Sequence, residues 1–115
     1  MQVKRGEVYY ANLEPARGSE TGKTRPVVVI QNDIGNAYSP TTIVAVITGY
    51  SEKKASYPIC VPVGIEQGLK KASIINLAQL RTIDKRRLIA PRVASLPAAV
   101  MSEVDQALKY SLSLS

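Results

Sequence analysis

The chain has no histidine, no tryptophan and no phenylalanine, and its single cysteine is Cys60. Without histidine it lacks the usual general acid/base and metal ligand, and every Ser-His or Cys-His nucleophile arrangement is excluded. One cysteine cannot close an intrachain disulfide. Stacking on a nucleobase falls to tyrosine alone, at positions 9, 10, 38, 50, 57 and 110. Tyr9 and Tyr10 lie in an early strand-like segment, where at least one is expected in the core. No apolar run resembles a signal peptide or a membrane span, so the cytoplasm is the expected location.

What is present is a chain of 115 residues, read as one domain spanning 1–115. That length buries roughly two-thirds of the unfolded surface without a disulfide or metal to hold it together. Fifteen Lys and Arg against nine Asp and Glu give a net charge of +6. Such a balance favours a polyanionic partner through counterion release, or describes a generally basic surface.

The stretch GSETGKTRPVVVI, residues 18–30, resembles a nucleotide-binding P-loop at first sight. A P-loop places four residues between its glycine and its Gly-Lys-Thr and then opens a helix whose N-terminus meets the phosphates. Here only three residues intervene, and the β-branched run Val27-Val28-Val29-Ile30 reads as a strand. Phosphate cradling of that kind is therefore excluded.

Strands are expected at 7–13, 26–31 and 42–48, the last two as continuous apolar runs buried on both faces. Residues 57–63 alternate but contain Pro58 and Pro62, which suits an edge strand. SIINL (73–77) and QLRTI (79–83) read as two short strands or one bent strand. The stretch NDIGNAYSPT is dense in turn formers and reads as a loop. From Leu96 the apolar positions recur at helical spacing through Val100, Val104, Ala107 and Leu108, with Ser95 as N-cap and Pro97 in the first turn. The fold class is mainly β with a C-terminal α-helix: a small, strongly bent antiparallel sheet or partly open barrel.

Consecutive strands usually pair, so 26–31 and 42–48 are expected to form an antiparallel hairpin. Arg25 and Thr48 then meet at the rim remote from the connecting loop, with the polar loop 17–24 overhanging them. A permanent cation with five donors beside a hydroxyl suits the charge that develops on a phosphodiester's non-bridging oxygens. RNA supplies its own nucleophile, the 2′-OH, so no metal is required. The alternative stays open that Arg25 pairs with Glu20 or Glu7 and that Thr48 is an ordinary strand residue.

KRGEVYYANLEPARGSETGKTRPVVVIQND, SPTTIVAVIT and INLAQLRTIDKRRL, followed by a short terminal helix, resemble the MazF/PemK family of toxin endoribonucleases from type II toxin–antitoxin modules. The resemblance implies an SH3-like small barrel, a homodimer, and metal-independent cleavage of single-stranded RNA at a short sequence. It further implies no cofactor, no metal, and neutralisation by a cognate antitoxin whose acidic tail occupies the RNA groove. The family's catalytic arginine and threonine fall on Arg25 and Thr48. Arg17, Ser19, Glu20, Gly22, Lys23 and Thr24 become the loop over the RNA, and Asn32 and Gln79 become groups that read base edges. Arg81 and the run Lys85-Arg86-Arg87 would track phosphates. The segment 49–57 is least like the family, and its Tyr50, Lys53, Lys54 and Tyr57 would shape base preference.

Three other readings are weaker. Asp33 with Glu52-Lys53-Lys54 loosely matches the Asp…Glu-x-Lys set of metal-dependent nucleases, yet Glu52 is expected in a loop. Gyrase-poisoning toxins of the same fold carry a tryptophan near the C-terminus, where this chain ends in SLSLS. A non-catalytic binding module would have no need of the Arg25/Thr48 pair.

Overall fold

The computed structural model describes residues 1–14 and 23–115. Six strands form one antiparallel sheet: β1 (Glu7–Asn12), β2 (Thr24–Val29), β3 (Thr41–Gly49), β4 (Cys60–Val63), β5 (Ser73–Asp84) and β6 (Leu88–Ser95). Their spatial order is β4-β5-β3-β2-β1-β6, so the sheet is open, with β4 and β6 as its edges. The expected β2–β3 hairpin is present, in the register Val27↔Val46, Val28↔Ala45 and Val29↔Val44.

The apolar runs of β2 and β3 are buried on both faces because each face has its own core. Val28, Ala45, Ile47, Ile75 and Leu77 lie on one side with Val100, Val104 and Ala107 of the C-terminal helix. Val27, Val29, Val44 and Val46 lie on the other with Tyr9, Leu13 and Leu88. Strand alternation sends successive side chains to opposite faces, and the sheet bends around both sets. Of the two early tyrosines, Tyr9 is core and donates its hydroxyl to Glu7, while Tyr10 is half-buried.

The two candidate strands at 73–83 are one bent strand, β5. Its pairing with β3 jumps from Ala45↔Leu80 to Val46↔Asn76, leaving Leu77, Ala78 and Gln79 as an insertion that bends it. Strand β6 departs from expectation, since no pattern predicts a strand after residue 83. Pro91 interrupts it and most of its residues are exposed, so neither periodicity nor propensity marks it. The strand expected from residue 57 begins only at Cys60.

Two short helices replace expected loops, each with a local cause, and the expected C-terminal helix differs only at its start. Helix α1 (Asp33–Tyr38) replaces the expected loop, because the Asn32 side chain accepts from the Gly35 amide at 2.8 Å and caps it. Helix α2 (Glu52–Ala55) is capped by Ser51. Helix α3 (Ala98–Leu112) begins after Pro97, and no side chain caps it; Ser95 pairs with Glu7 in the sheet instead of serving as N-cap. The anticipated stripe is otherwise observed, with Val100, Val104 and Ala107 buried against β5 and β4.

Leu77 is fully buried at the bend of β5. Leu77→Ala is expected to lower unfolding free energy in urea by about 3 kcal/mol, the sum of lost transfer energy and a residual cavity. A loss below about 1 kcal/mol would show that the bend relaxes into the space.

Candidate active site

The hydrogen-bonded ladder between β2 and β3 stops at Val27↔Val46. Beyond that point each strand follows its other neighbour: Arg25 pairs with Ala11 on β1, and Thr48 pairs with Ile74 on β5. Pro26, at the divergence, has no N–H to offer a ladder. Continuing the register two residues past Val27↔Val46 brings Arg25 opposite Thr48 across the opening. A cleft of about 280 Å³ occupies this place, and Thr24, Arg25, Thr48, Tyr10, Lys70 and Ser73 are among its walls.

Arg25 and Thr48 each lack a polar partner among the described residues. Arg25 is exposed and makes no described hydrogen bond or ion pair. Glu7, one partner weighed for it, instead accepts from the Lys4 amide, the Tyr9 hydroxyl and Arg92. Thr48 Oγ1 is buried and has no hydrogen-bond partner, alone among buried side-chain polar atoms of the described residues. Leaving such a group unpaired costs about 1–3 kcal/mol.

Other sequence-derived candidates are distributed as follows. Thr24 is exposed on the cleft wall opposite Asn12. Lys23 is exposed and holds a positive φ of 64°, a strained conformation for a side chain with Cβ. Its amide donates to Glu14 Oε1 at 2.6 Å, and its carbonyl accepts from the Leu13 amide at 2.9 Å, which closes the root of the loop. Arg17, Ser19, Glu20 and Gly22 lie outside the described residues. Asn32 stands beyond the far end of β2 with its amide engaged in capping α1. Tyr50 lines a separate shallow groove with Pro62, Val63 and Ile65. Gln79 is half-buried in the bend of β5.

Arg81 and Arg87 are structural struts. Arg81 donates to the Leu13 carbonyl at 2.6 Å, and Arg87 donates to the carbonyls of Asn12 and Glu14. Both therefore tie the β5–β6 region to the strand end that enters the loop. Arg86 is turned to Asp84, and the hydrogen bonds it gives hold that carboxyl at about 2, well below the usual range.

The sequence reading missed Lys70, Lys71 and Ser73 as cleft residues. The only available signal was a basic doublet just after Gly68, between two strands. No carboxylate lines the cleft among the described residues. Burial pushes the Cys60 thiol up, away from a reactive thiolate. Asp33 is engaged by the Arg5 amide and Asn36, and among the described residues no three His, Cys, Asp or Glu converge as a metal site.

Comparison with known proteins gives this geometry a setting. The fold is shared with solved structures: the crystal structure of MazF (Form-I) from Deinococcus radiodurans aligns with a TM-score of 0.79 at 25% identity, covering 98% of each chain. A MazE–MazF crystal structure from the same organism aligns at 0.74 and 26% identity, covering 100% of this chain and 99% of that one. Endoribonuclease EndoA of Bacillus subtilis (strain 168) is 50% identical over 115 residues, covering 99% of this chain and 97% of the relative. Residues 4–112 match the family described as PemK-like, MazF-like toxin of type II toxin–antitoxin system. The chain belongs to that family.

The unpaired hydroxyl makes a stability prediction independent of any substrate. Thr48→Val keeps the shape and removes the orphaned oxygen, so chemical denaturation is expected to show a gain of about 1 kcal/mol. A loss of similar size would mean that the hydroxyl is satisfied in solution.

Proposed function

We propose that this protein is a toxin endoribonuclease that cleaves single-stranded RNA at a short sequence without a metal ion. The observation that carries the reading is the pairing of a free guanidinium and an orphaned hydroxyl at the point where β2 and β3 part. The 50% identity to a protein named an endoribonuclease supports it.

In the proposed reaction the ribose 2′-oxygen attacks the adjacent phosphorus and the bond from phosphorus to the 5′-oxygen breaks. The products are a 2′,3′-cyclic phosphate and a 5′-OH. The 2′-OH gives up its proton and the leaving 5′-oxygen gains one, so the step is balanced without an added reactant. Arg25 stabilises the charge that grows on the non-bridging oxygens, where a bidentate donor is most effective. Thr48 Oγ1 donates to the same phosphate and holds it in line, which supplies the positioning component. A guanidinium is always protonated and so a poor base, and the role of Arg25 is electrostatic.

The biological reading follows the family. The chain acts in the cytoplasm as a single-domain homodimer that cleaves single-stranded RNA, in the manner of an mRNA interferase, and a cognate antitoxin protein neutralises it. In the Deinococcus radiodurans MazE–MazF structure the relative is accompanied by a second protein, which supports a protein partner here. The net charge of +6 suits both an RNA substrate and an acidic antitoxin segment.

The test is incubation of the purified protein, with EDTA present, on a long mixed-sequence RNA and on its DNA counterpart. Wild type is expected to cut the RNA at a restricted set of sites and to leave the DNA intact. Arg25→Ala is expected to slow cutting by at least about a hundredfold. Equal cleavage by the variant, or activity only when metal is restored, would refute the mechanism.

A further inference from the structure

We propose that Lys70 and Lys71 form a second phosphate-binding point in the cleft, which holds the phosphodiester next to the one being cut. This rests on the endoribonuclease reading above and extends it to the substrate's backbone.

The cleft has an excess of cations that the cleavage step does not use. Arg25, Lys70 and Lys71 all line it, no described lining residue is acidic, and none of the three makes a described ion pair. Elsewhere the described arginines are engaged: Arg5 with Asp105, Arg86 with Asp84, Arg92 with Glu7, and Arg81 and Arg87 with backbone carbonyls. Among the described residues, every arginine outside the cleft is thus paired or tethered, and the one lining it is not.

The two lysines are also placed. Lys70 Nζ stands 5.8 Å from the centre of the Tyr10 ring, a cation–π contact that holds the ammonium at the cleft wall. The Lys71 carbonyl accepts from Ser73 Oγ at 3.0 Å, and the Ala72 carbonyl accepts from the Tyr50 amide at 3.3 Å. This pinned segment runs straight into β5, where Ile74 is the partner of Thr48. Lys70 and Lys71 therefore share the lining of one cleft with Arg25 and Thr48. A single-stranded RNA carries a phosphate on each side of every nucleotide, so a strand gripped at Arg25 presents its next phosphate to this wall.

The experiment measures binding of a mixed-sequence 2′-O-methyl RNA pool, which lacks the nucleophile, as a function of salt concentration. Lys70→Gln/Lys71→Gln is compared with wild type and with Lys109→Gln on α3, away from the cleft. Each phosphate contact contributes about 0.7 to the slope of log K against log salt for a single strand. The double variant is expected to lose between one and two such contacts, a slope shallower by about 0.7 to 1.4, while Lys109→Gln keeps the wild-type slope. A smaller change in the double variant, or an equal change in the control, overturns the proposal. If wild type cleaves RNA and the double variant keeps its slope, only this inference fails. If wild type neither binds nor cuts RNA, the endoribonuclease reading fails with it.

Discussion

The register between β2 and β3 is the constraint on which everything else rests. Val27, Val28 and Val29 face Val46, Ala45 and Val44 at the centre of the sheet, and all six are fully buried. A shift of one residue would exchange the two faces and disrupt both cores at once, so the register is strongly specified. Two residues further along, the same register sets Arg25 across from Thr48. The site inherits its geometry from the most buried part of the protein, although Arg25 itself is exposed.

A rigid ladder would leave no room for a substrate. The room comes from the end of β2–β3 pairing, where β1 and β5 take over as partners of the two strands. Among the described residues, Thr48 Oγ1 lies inside the wall with no hydrogen-bond partner, and Arg25 is exposed with no described bond. An unpaired buried hydroxyl gives up stability here, the kind of local cost that the proposed function would explain. Around it the arginine struts to residues 12–14 and the zipped pair of Leu13 and Lys23 hold the loop root in place.

Much of this was legible in the sequence because it followed from burial. The continuous β-branched runs of β2 and β3 suit strands buried on both faces and the stripe of α3 has helical spacing, and the Arg25–Thr48 meeting needs only the antiparallel pairing of β2 with β3. Features that depend on local capping or on exposed backbone were not legible. Asn32 and Asp33 read as turn formers and start a helix, while β6 is exposed and interrupted by Pro91, so it carries no pattern. The roles of Arg81 and Arg87 were hidden for another reason: their partners are backbone carbonyls about seventy residues away, which side-chain chemistry cannot announce. Lys70 and Lys71 were overlooked because a basic doublet is common on any surface, and only the fold brings this one to the cleft.

In the proposed mechanism the substrate provides the nucleophile and the protein provides charge and position. The most direct measurement is mass spectrometry of the ends produced from an RNA oligonucleotide spanning one cut site, beside the same oligonucleotide with a single 2′-deoxy residue at that site. The mechanism predicts 2′,3′-cyclic phosphate and 5′-OH ends from the first and no cleavage of the second. Fragments with 5′-phosphate ends, or cleavage of the deoxy-substituted strand at the same bond, would contradict it.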